Sequence, residues 1–369
     1  MKYNQLGRSG LRVSALSFGT MTFGGTGWAS TIGHTDVRSA ANQIAICADA
    51  GINLIDTADV YSSGLSEEIL GEAIGSHRED MLVATKLRMP MGDGPNDAGL
   101  SRHHIIRSCE ASLRRLQTDH IDLYQVHEWD GQTPLEETLR ALDALVQSGK
   151  VRYIGASNFT AWQLMKALGT SERLGLERFA SHQIFYSLHA REVEYELVPA
   201  SLDQGVGILV WSPLAGGLLS GKYGRGKPLP EGARHTLNWG DPPIHDEDRL
   251  YSTIDAVVAV ANAHAVSASQ VAIAWLLSRP GVTSVVIGAR SDQQLIQNLG
   301  ALDVVLSDDE IVLLERVSSL PLYYPHWHQA ETASDRLSEA DLSLLGRYVP
   351  WPGSAAQSAE LAALPAGEE

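Results

Sequence analysis

Residues 53–86 read NLIDTADVYSSGLSEEILGEAIGSHREDMLVATK. Two short β-rich runs, 53–58 and 81–86, flank a helix-period segment at 66–76. Neither run alternates polar with apolar residues, as expected when both faces of a parallel strand are buried. The unit reads strand, helix, strand. The alternation continues outward in both directions. Runs at 16–21, 121–127, 151–157, 181–186, 207–212 and 284–289 bring the strands to eight. Helix patterns stand between them at 35–50, 101–116, 134–148, 160–169, 193–204 and 292–300. Thr35, Ser66, Ser101, Thr133 and Thr160 occupy expected N-caps, and Gly51, Gly149 and Gly205 follow expected C-termini. Such a series builds either a closed α/β barrel, the (β/α)8 TIM type, or a large doubly wound sheet. Residues 2–6 and 11–13 flank Gly7-Arg8-Ser9-Gly10 as a small β-hairpin, and that start favours the barrel.

No repeat or long linker divides the chain. The reading is a single barrel over 1–320, an extension over 321–350 packed near the barrel mouth, and a flexible Pro/Ala/Gly/Glu tail over 351–369. Additions to the barrel are a Gly/Pro-rich stretch at 221–248 and helix patterns at 249–264, 267–279, 308–318 and 338–346. The 369 residues are 44% hydrophobic and 20% charged, ordinary for a globular protein. A formal charge of −16 disfavours nucleic acid and anionic membranes as partners. It leaves room for a local basic pocket. Cys47 and Cys109 are expected to be buried free thiols in a reducing compartment. Met1 to Gln5 form no apolar signal core, and no run reaches the length of a membrane span. The expected location is cytoplasmic.

Three polar residues end three consecutive strands: Asp56, Lys86 and His127. The C-terminal strand ends of a barrel share one face, where active sites sit, so these side chains should converge. Tyr61 follows Asp56 in the same loop and can reach that mouth. A free tyrosine titrates near 10, too high for proton transfer at neutral pH. A nearby Lys86 ammonium would stabilise its phenolate. Asp56 can hold Lys86 in place, and His127 can hydrogen-bond a substrate oxygen or relay a proton. Singly, the Asp is as well explained as a helix cap and the His as structural. Their joint placement on adjacent strand ends is what points to protonation of a carbonyl oxygen while another group delivers hydride.

Asp56-Thr57-Ala58-Asp59-Val60-Tyr61 with Ser66-Glu67-Glu68-Ile69-Leu70-Gly71, then Ala84-Thr85-Lys86, Val126-His127 and Ile154-Gly155-Ala156-Ser157-Asn158-Phe159, resemble the successive motifs of the aldo-keto reductases. The resemblance covers roughly residues 1–318 in order, and several motifs together are far more specific than one. It implies Asp56, Tyr61, Lys86 and His127 as the catalytic tetrad, with Tyr61 as general acid in reduction and base in oxidation. The intact histidine favours carbonyl reduction over the double-bond reduction of some relatives.

The resemblance also implies NADP(H). No G-x-G-x-x-G follows the first strand, and Gly25-Thr26-Gly27 is only a fragment. Gly216 to Lys222 fits G-x-x-x-x-G-K, but Tyr223 stands where Ser or Thr would bind magnesium, which excludes a P-loop. By resemblance, Trp211, Ser212, Pro213, Leu214, Gly216, Leu219 and Lys222 form a pyrophosphate belt, with Trp211 stacked on the nicotinamide. As a plain barrel-core residue, Trp211 is the second reading. Ser157, Asn158 and Gln183 would hold the carboxamide, and the first strand end, Gly19, Thr20 and Met21, joins Asp56 on the cofactor face. Ile287, Gly288, Arg290, Gln294 and Asn298 open the last helix. Arg290 near a helix N-terminus suits a 2′-phosphate, because the guanidinium and the positive helix end both attract the anion. A surface arginine capping the helix is the bland alternative.

Expected pocket walls are Trp28, Arg88, Met89, Trp129, Tyr323 and Trp327. The His326/His328 and His103/His104 pairs lack third and fourth ligands at useful spacing, so no metal is expected. The function read from the chain is reversible reduction of an aldehyde or ketone, sugar-like compounds and secondary alcohols included. The alternative, also carried by the resemblance, is an NADP-binding regulatory subunit like the potassium-channel β subunits. No segment suited to such a partner is read before the barrel. A third reading, an unrelated barrel isomerase, leaves the Asp-Tyr-Lys-His quartet unexplained.

Overall fold

The computed structural model describes residues 1–230 and 242–349. The stretch 351–369 read as a tail, and part of the Gly/Pro-rich stretch, lie outside the described residues. The eight strands are β3 (Leu16–Gly19), β4 (Leu54–Asp56), β5 (Leu82–Leu87), β6 (Ile121–Val126), β7 (Val151–Ser157), β8 (Ser181–Phe185), β9 (Gly207–Trp211) and β10 (Val282–Ile287). They are preceded by β1 (Tyr3–Gln5) and β2 (Arg12–Ser14), the expected hairpin. Each barrel strand pairs in parallel with its neighbour, and β10 closes the ring by pairing with both β9 and β3. At that seam Leu16 sits opposite Val285 and Phe18 opposite Ile287. The doubly wound alternative is therefore excluded.

Burial explains the non-alternating strands. Every residue of β6 is buried, because one face looks into the barrel and the other onto helices. The hairpin does more than precede the barrel. Its Leu6 and Val13 pack with Leu54, Ala84, Leu123 and Leu209 in a separate buried cluster. The Asn4 side chain donates to the Thr283 carbonyl at 2.8 Å, and Asn53 accepts from the Ser14 amide at 2.7 Å. The floor of the barrel is thus plugged, and the C-terminal mouth is the open end.

The surrounding helices are α1 (Val37–Asp49), α2 (Leu65–Ile74), α3 (Arg102–Arg115), α4 (Leu135–Gln147), α5 (Ala161–Leu174), α6 (Leu197–Gln204), α7 (Glu247–Ala263), α8 (Ala268–Leu277), α9 (Asp292–Leu299) and α10 (Asp308–Ser318). The extension carries α11 (His326–Thr332) and α12 (Glu339–Leu345). In α4, Leu135, Leu139, Leu142 and Leu145 form the buried stripe, and Glu136 and Glu137 favour the positive helix start. Three expected caps shift. Asp36, not Thr35, accepts the Ser39 amide, Pro134 rather than Thr133 stands before α4, and Gly64 precedes α2. Ser66 lies inside the first turn of α2, where its buried hydroxyl donates to the Thr20 carbonyl at 2.9 Å. Helix α5 runs past Gly169 to Leu174, because the left-handed residue that ends it is Gly175 (φ 63°). Among the described residues no single helix is long and apolar enough to cross a membrane, although the bent pair α7 and α8 has the length and composition together.

Gly71 shows how tightly the outer layer is packed. A Cβ there would lie 2.5 Å from the Arg115 carbonyl oxygen and 2.8 Å from the Leu116 Cα. Backbone cannot step aside as a flexible side chain can. Gly71→Ala should therefore destabilise the fold by about 1–3 kcal/mol. Thermal unfolding reads this as a fall in Tm, and an unchanged Tm would show that α2 moves freely off the end of α3.

Candidate active site

The four residues expected to converge do meet at the mouth. Lys86 is fully buried, and its Nζ donates to Asp56 Oδ2 at 2.6 Å, to the Thr57 carbonyl at 2.9 Å and to Tyr61 Oη at 3.4 Å. Those three contacts use all of its donors. Asp56 Oδ1 accepts from Gln183 Nε2 at 2.8 Å and Gln125 Nε2 at 3.2 Å. Both carboxylate oxygens are therefore held. The Tyr61 ring lies edge-on to His127, with centroids 6.0 Å apart, and Lys86 Nζ stands 5.1 Å from the Tyr61 centroid.

Local backbone sets Tyr61. The next two residues, Ser62 and Ser63, are left-handed (φ 50° and 57°). Such positions cost roughly 1–3 kcal/mol each and persist only where the surroundings hold them. Here Ser62 Oγ donates to the Phe23 carbonyl at 2.9 Å and accepts from the Gly25 amide at 3.1 Å. The turn is clamped to the loop after β3.

Burial alone would depress the Lys86 ammonium. The charge of Asp56, with Tyr61 and hydrogen bonds to both, outweighs it and raises the pKa. Lys86 stays cationic. Burial, then the positive charges of Lys86 and Arg88, pushes His127 down to about 3. Its imidazole is neutral at any physiological pH. Nδ1 is buried without a hydrogen-bond partner among the described residues. A proton on Nε2 leaves a lone pair there, rather than an N–H, unsatisfied. His127 is thus a neutral hydrogen-bond donor. Behind Tyr61 lies a carboxyl that sequence reading passed over. Burial, then the Glu67 charge, raises the Asp59 pKa well above the carboxylate range.

A cavity of about 810 Å³ opens over this quartet. Gly19, Met21, Asp56, Tyr61, His127, Ser157, Asn158 and Gln183 line it near the strand ends. Trp211 exposes one face to it and stacks on Phe185 with the other, at 4.8 Å and 27°. Trp211 Nε1 donates to Asn158 Oδ1 at 3.0 Å, and Asn158 Nδ2 donates to the His127 carbonyl at 3.1 Å. An indole is donor-only, so it fixes which way the Asn158 amide points. Phe185 was not singled out in the sequence, although an aromatic ending the strand before Trp211 was the available signal.

Ser212, Pro213, Leu214, Gly216, Lys222, Ile287, Gly288, Arg290, Gln294 and Asn298 line the same cavity, and Lys222 and Arg290 are its cations among the described residues. Ser212, Ala215, Gly216 and Gly217 all have positive φ, so the belt curls tightly, and Ser212 Oγ accepts the Gly216 amide at 3.0 Å. Asn298 donates to the Gly288 carbonyl at 3.2 Å, and Gln294 accepts the Arg290 amide at 3.0 Å. An open aromatic face beside amide side chains, with Lys222 after the curled belt and Arg290 before α9 lining the same cavity, is a donor set that fits a phosphorylated nicotinamide dinucleotide.

Several expected residues stand elsewhere. Thr20 is buried behind the wall, bonded to the Asp56 carbonyl through its amide at 2.9 Å. Leu219 is core. Arg88 (φ 119°) does not line the cavity and donates to the Trp129 carbonyl at 3.3 Å. Trp129 packs away from the mouth, edge-on to Phe159 and Trp162. Tyr323 and Trp327 are exposed on the flank beside α6, where Tyr323 meets Tyr195. The extension is tied there by α12 against α6 and by Arg347 on Glu194 at 2.6 Å, not folded across the cavity. The Trp28 side chain lies outside the described residues. Met21, Val60, Met89, Pro90 and Glu128 do line the cavity, and of these Met89 alone was an expected pocket wall. No group of three or more metal-ligating side chains occurs among the described residues.

Comparison with known proteins agrees with this geometry. A probable voltage-gated potassium channel subunit beta of Arabidopsis thaliana is 38% identical over 321 residues, 85% of this chain and 94% of the relative. One of the same description from Oryza sativa subsp. japonica is 39% identical over 313 residues, 83% and 92% of the two chains. An uncharacterized oxidoreductase, YrpG, of Bacillus subtilis (strain 168) is 38% identical over 328 residues, 86% and 96%. The model of the aldo/keto reductase family matches residues 15–319, the whole of the barrel just described, and the chain belongs to that family.

Proposed function

We propose that this oxidoreductase reversibly reduces an aldehyde or ketone with NADP(H), using Tyr61 as general acid and base. The observation that carries the reading is one cavity lined by Tyr61, His127, Lys222 and Arg290, with the buried Lys86 behind Tyr61 donating to its hydroxyl. A nicotinamide bound between them supplies the hydride. Trp211, Asn158, Ser157 and Gln183 would hold the ring, and the 212–222 belt with Arg290 would hold the phosphates.

The chain's own residues do the proton work. His127 donates a hydrogen bond to the substrate oxygen and fixes its position. Tyr61 Oη gives that oxygen its proton. Lys86, anchored by Asp56, stabilises the phenolate that remains. In the oxidative direction the phenolate takes the proton back. The test mixes pure protein with NADPH and a panel of aldehydes and ketones, or with NADP+ and sugar-like alcohols, and follows nicotinamide absorbance. Turnover that persists in Tyr61→Phe overturns the mechanism.

Arg290 lines the cavity just before α9, whose cap is Ser291. Arg290→Ala should weaken NADPH binding at least about tenfold while NADH binding changes little, since a guanidinium–phosphate pair is a charge-assisted bond. Fluorescence titration measures both. Equal losses would remove Arg290 from the 2′-phosphate.

The printed descriptions of the two plant relatives favour a second reading, a cofactor-binding regulatory subunit. Tight NADPH binding without turnover of any compound in the panel would favour it.

A further inference from the structure

Among the described residues four charged side chains line the cavity: Asp56, Glu128, Lys222 and Arg290. Asp56 is fully engaged by Lys86, Gln183 and Gln125. Glu128 is not. It directly follows His127 and is half-buried; burial pushes its pKa up, against the Arg88 charge and the nearby Asn158 side chain, which favour the carboxylate. The amide orientation fixed by Trp211 points the Asn158 donors this way. One carboxylate oxygen can serve Asn158 while the other faces the cavity. The compensating cation, Arg88, stands behind the wall and turns a donor to the Trp129 carbonyl. Of the neighbouring lining residues, Met21, Val60, Met89 and Pro90 carry no hydrogen-bonding side-chain N or O, and the Thr22 hydroxyl already donates to the Ala289 carbonyl at 3.1 Å.

We propose that Glu128 sets the substrate class: the site takes uncharged carbonyl compounds that carry a hydroxyl, and turns away those that carry a carboxylate. The proposal rests on the reductase reading above. A substrate hydroxyl can donate to Glu128 and fill its remaining acceptor. A substrate carboxylate would instead place a second negative charge against a half-buried one, and among the described residues the cavity's cations, Lys222 and Arg290, belong to the other loops. At an effective dielectric of about 20, such a repulsion corresponds to roughly a tenfold to hundredfold loss in kcat/KM.

Three para-substituted benzaldehydes of similar size test this: the hydroxymethyl, the carboxylate and the methyl ester of that carboxylate. With NADPH and the wild-type protein, the hydroxymethyl compound should exceed the carboxylate at least tenfold in kcat/KM, and the neutral ester should exceed it as well. Glu128→Gln keeps the shape and an acceptor for Asn158, and should bring the hydroxymethyl-to-carboxylate ratio close to one. Equal efficiency of carboxylate and hydroxymethyl compounds in the wild type overturns the proposal, and that comparison needs no variant to fold. An unchanged ratio in a folded Glu128→Gln protein also overturns it. If no aldehyde of the three or of the wider panel is reduced although NADPH binds, the reductase reading falls and the Glu128 proposal with it.

Discussion

Tyr61→Phe should lower kcat for carbonyl reduction by about 10²–10⁴-fold, the usual worth of a positioned proton donor. NADPH affinity should barely change, because the lost hydroxyl is held by Lys86 and the belt and Arg290 are left intact. The variant keeps the ring, so its packing beside His127 survives. Pre-steady-state mixing with NADPH separates the two effects: a full binding signal followed by a slow chemical phase. A loss in binding matched by an unchanged chemical phase would move Tyr61 from chemistry to cofactor support. The wild-type profile carries a second expectation. With His127 held near 3, no imidazole inflection should appear in kcat between pH 5 and 8. An inflection that vanishes in His127→Gln would mean the imidazole titrates in the working enzyme.

Lys86→Met should be the most damaging single change to the fold itself. It removes one partner of a fully buried pair and leaves the Asp56 carboxylate with only two amide donors. Breaking a buried pair from one side typically costs 3–5 kcal/mol, roughly a third or more of a domain's stability. Replacing both members is far milder, so Lys86→Met combined with Asp56→Asn should regain most of the loss while remaining catalytically dead. Urea unfolding of the wild type, both single variants and the double closes the cycle. If the double variant is no more stable than Lys86→Met, the cost lies in the cavity left by the lysine and not in the stranded charge.

The barrel was legible because its signals are repeated. Eight apolar runs between capped helices leave few topologies, and Asp56, Lys86 and His127 mark the mouth by standing at three successive strand ends. The belt at 212–222 and the turn at 287–298 were legible by resemblance. The walls were harder. Trp129 sits one loop from His127, yet Phe159 and Trp162 offer it an aromatic nest that the cavity does not. Arg88 is drawn behind the wall by a backbone oxygen. Tyr323 and Trp327 read as pocket walls, but Arg347 and α12 anchor their segment along α6. In each case direction was decided by a partner distant in sequence, which periodicity and spacing do not encode. Glu128 was overlooked for the converse reason. Its neighbour His127 drew the reading, and a glutamate in a loop ordinarily signifies only solvent.

The seam of the barrel bears on how the protein is made. Leu16 and Val285 must lie side by side, so a ribosome has released most of the chain before the ring can close. Until then β3 and the most recently emerged strand are raw edges, open to wrong partners. The cavity straddles that same joint, with Gly19 and Met21 on one bank and Val286 to Arg290 on the other. A ligand bound there grips both banks and stabilises only the closed ring. The nicotinamide dinucleotide proposed for this cavity should then raise the yield of closed, folded protein as well as support its activity.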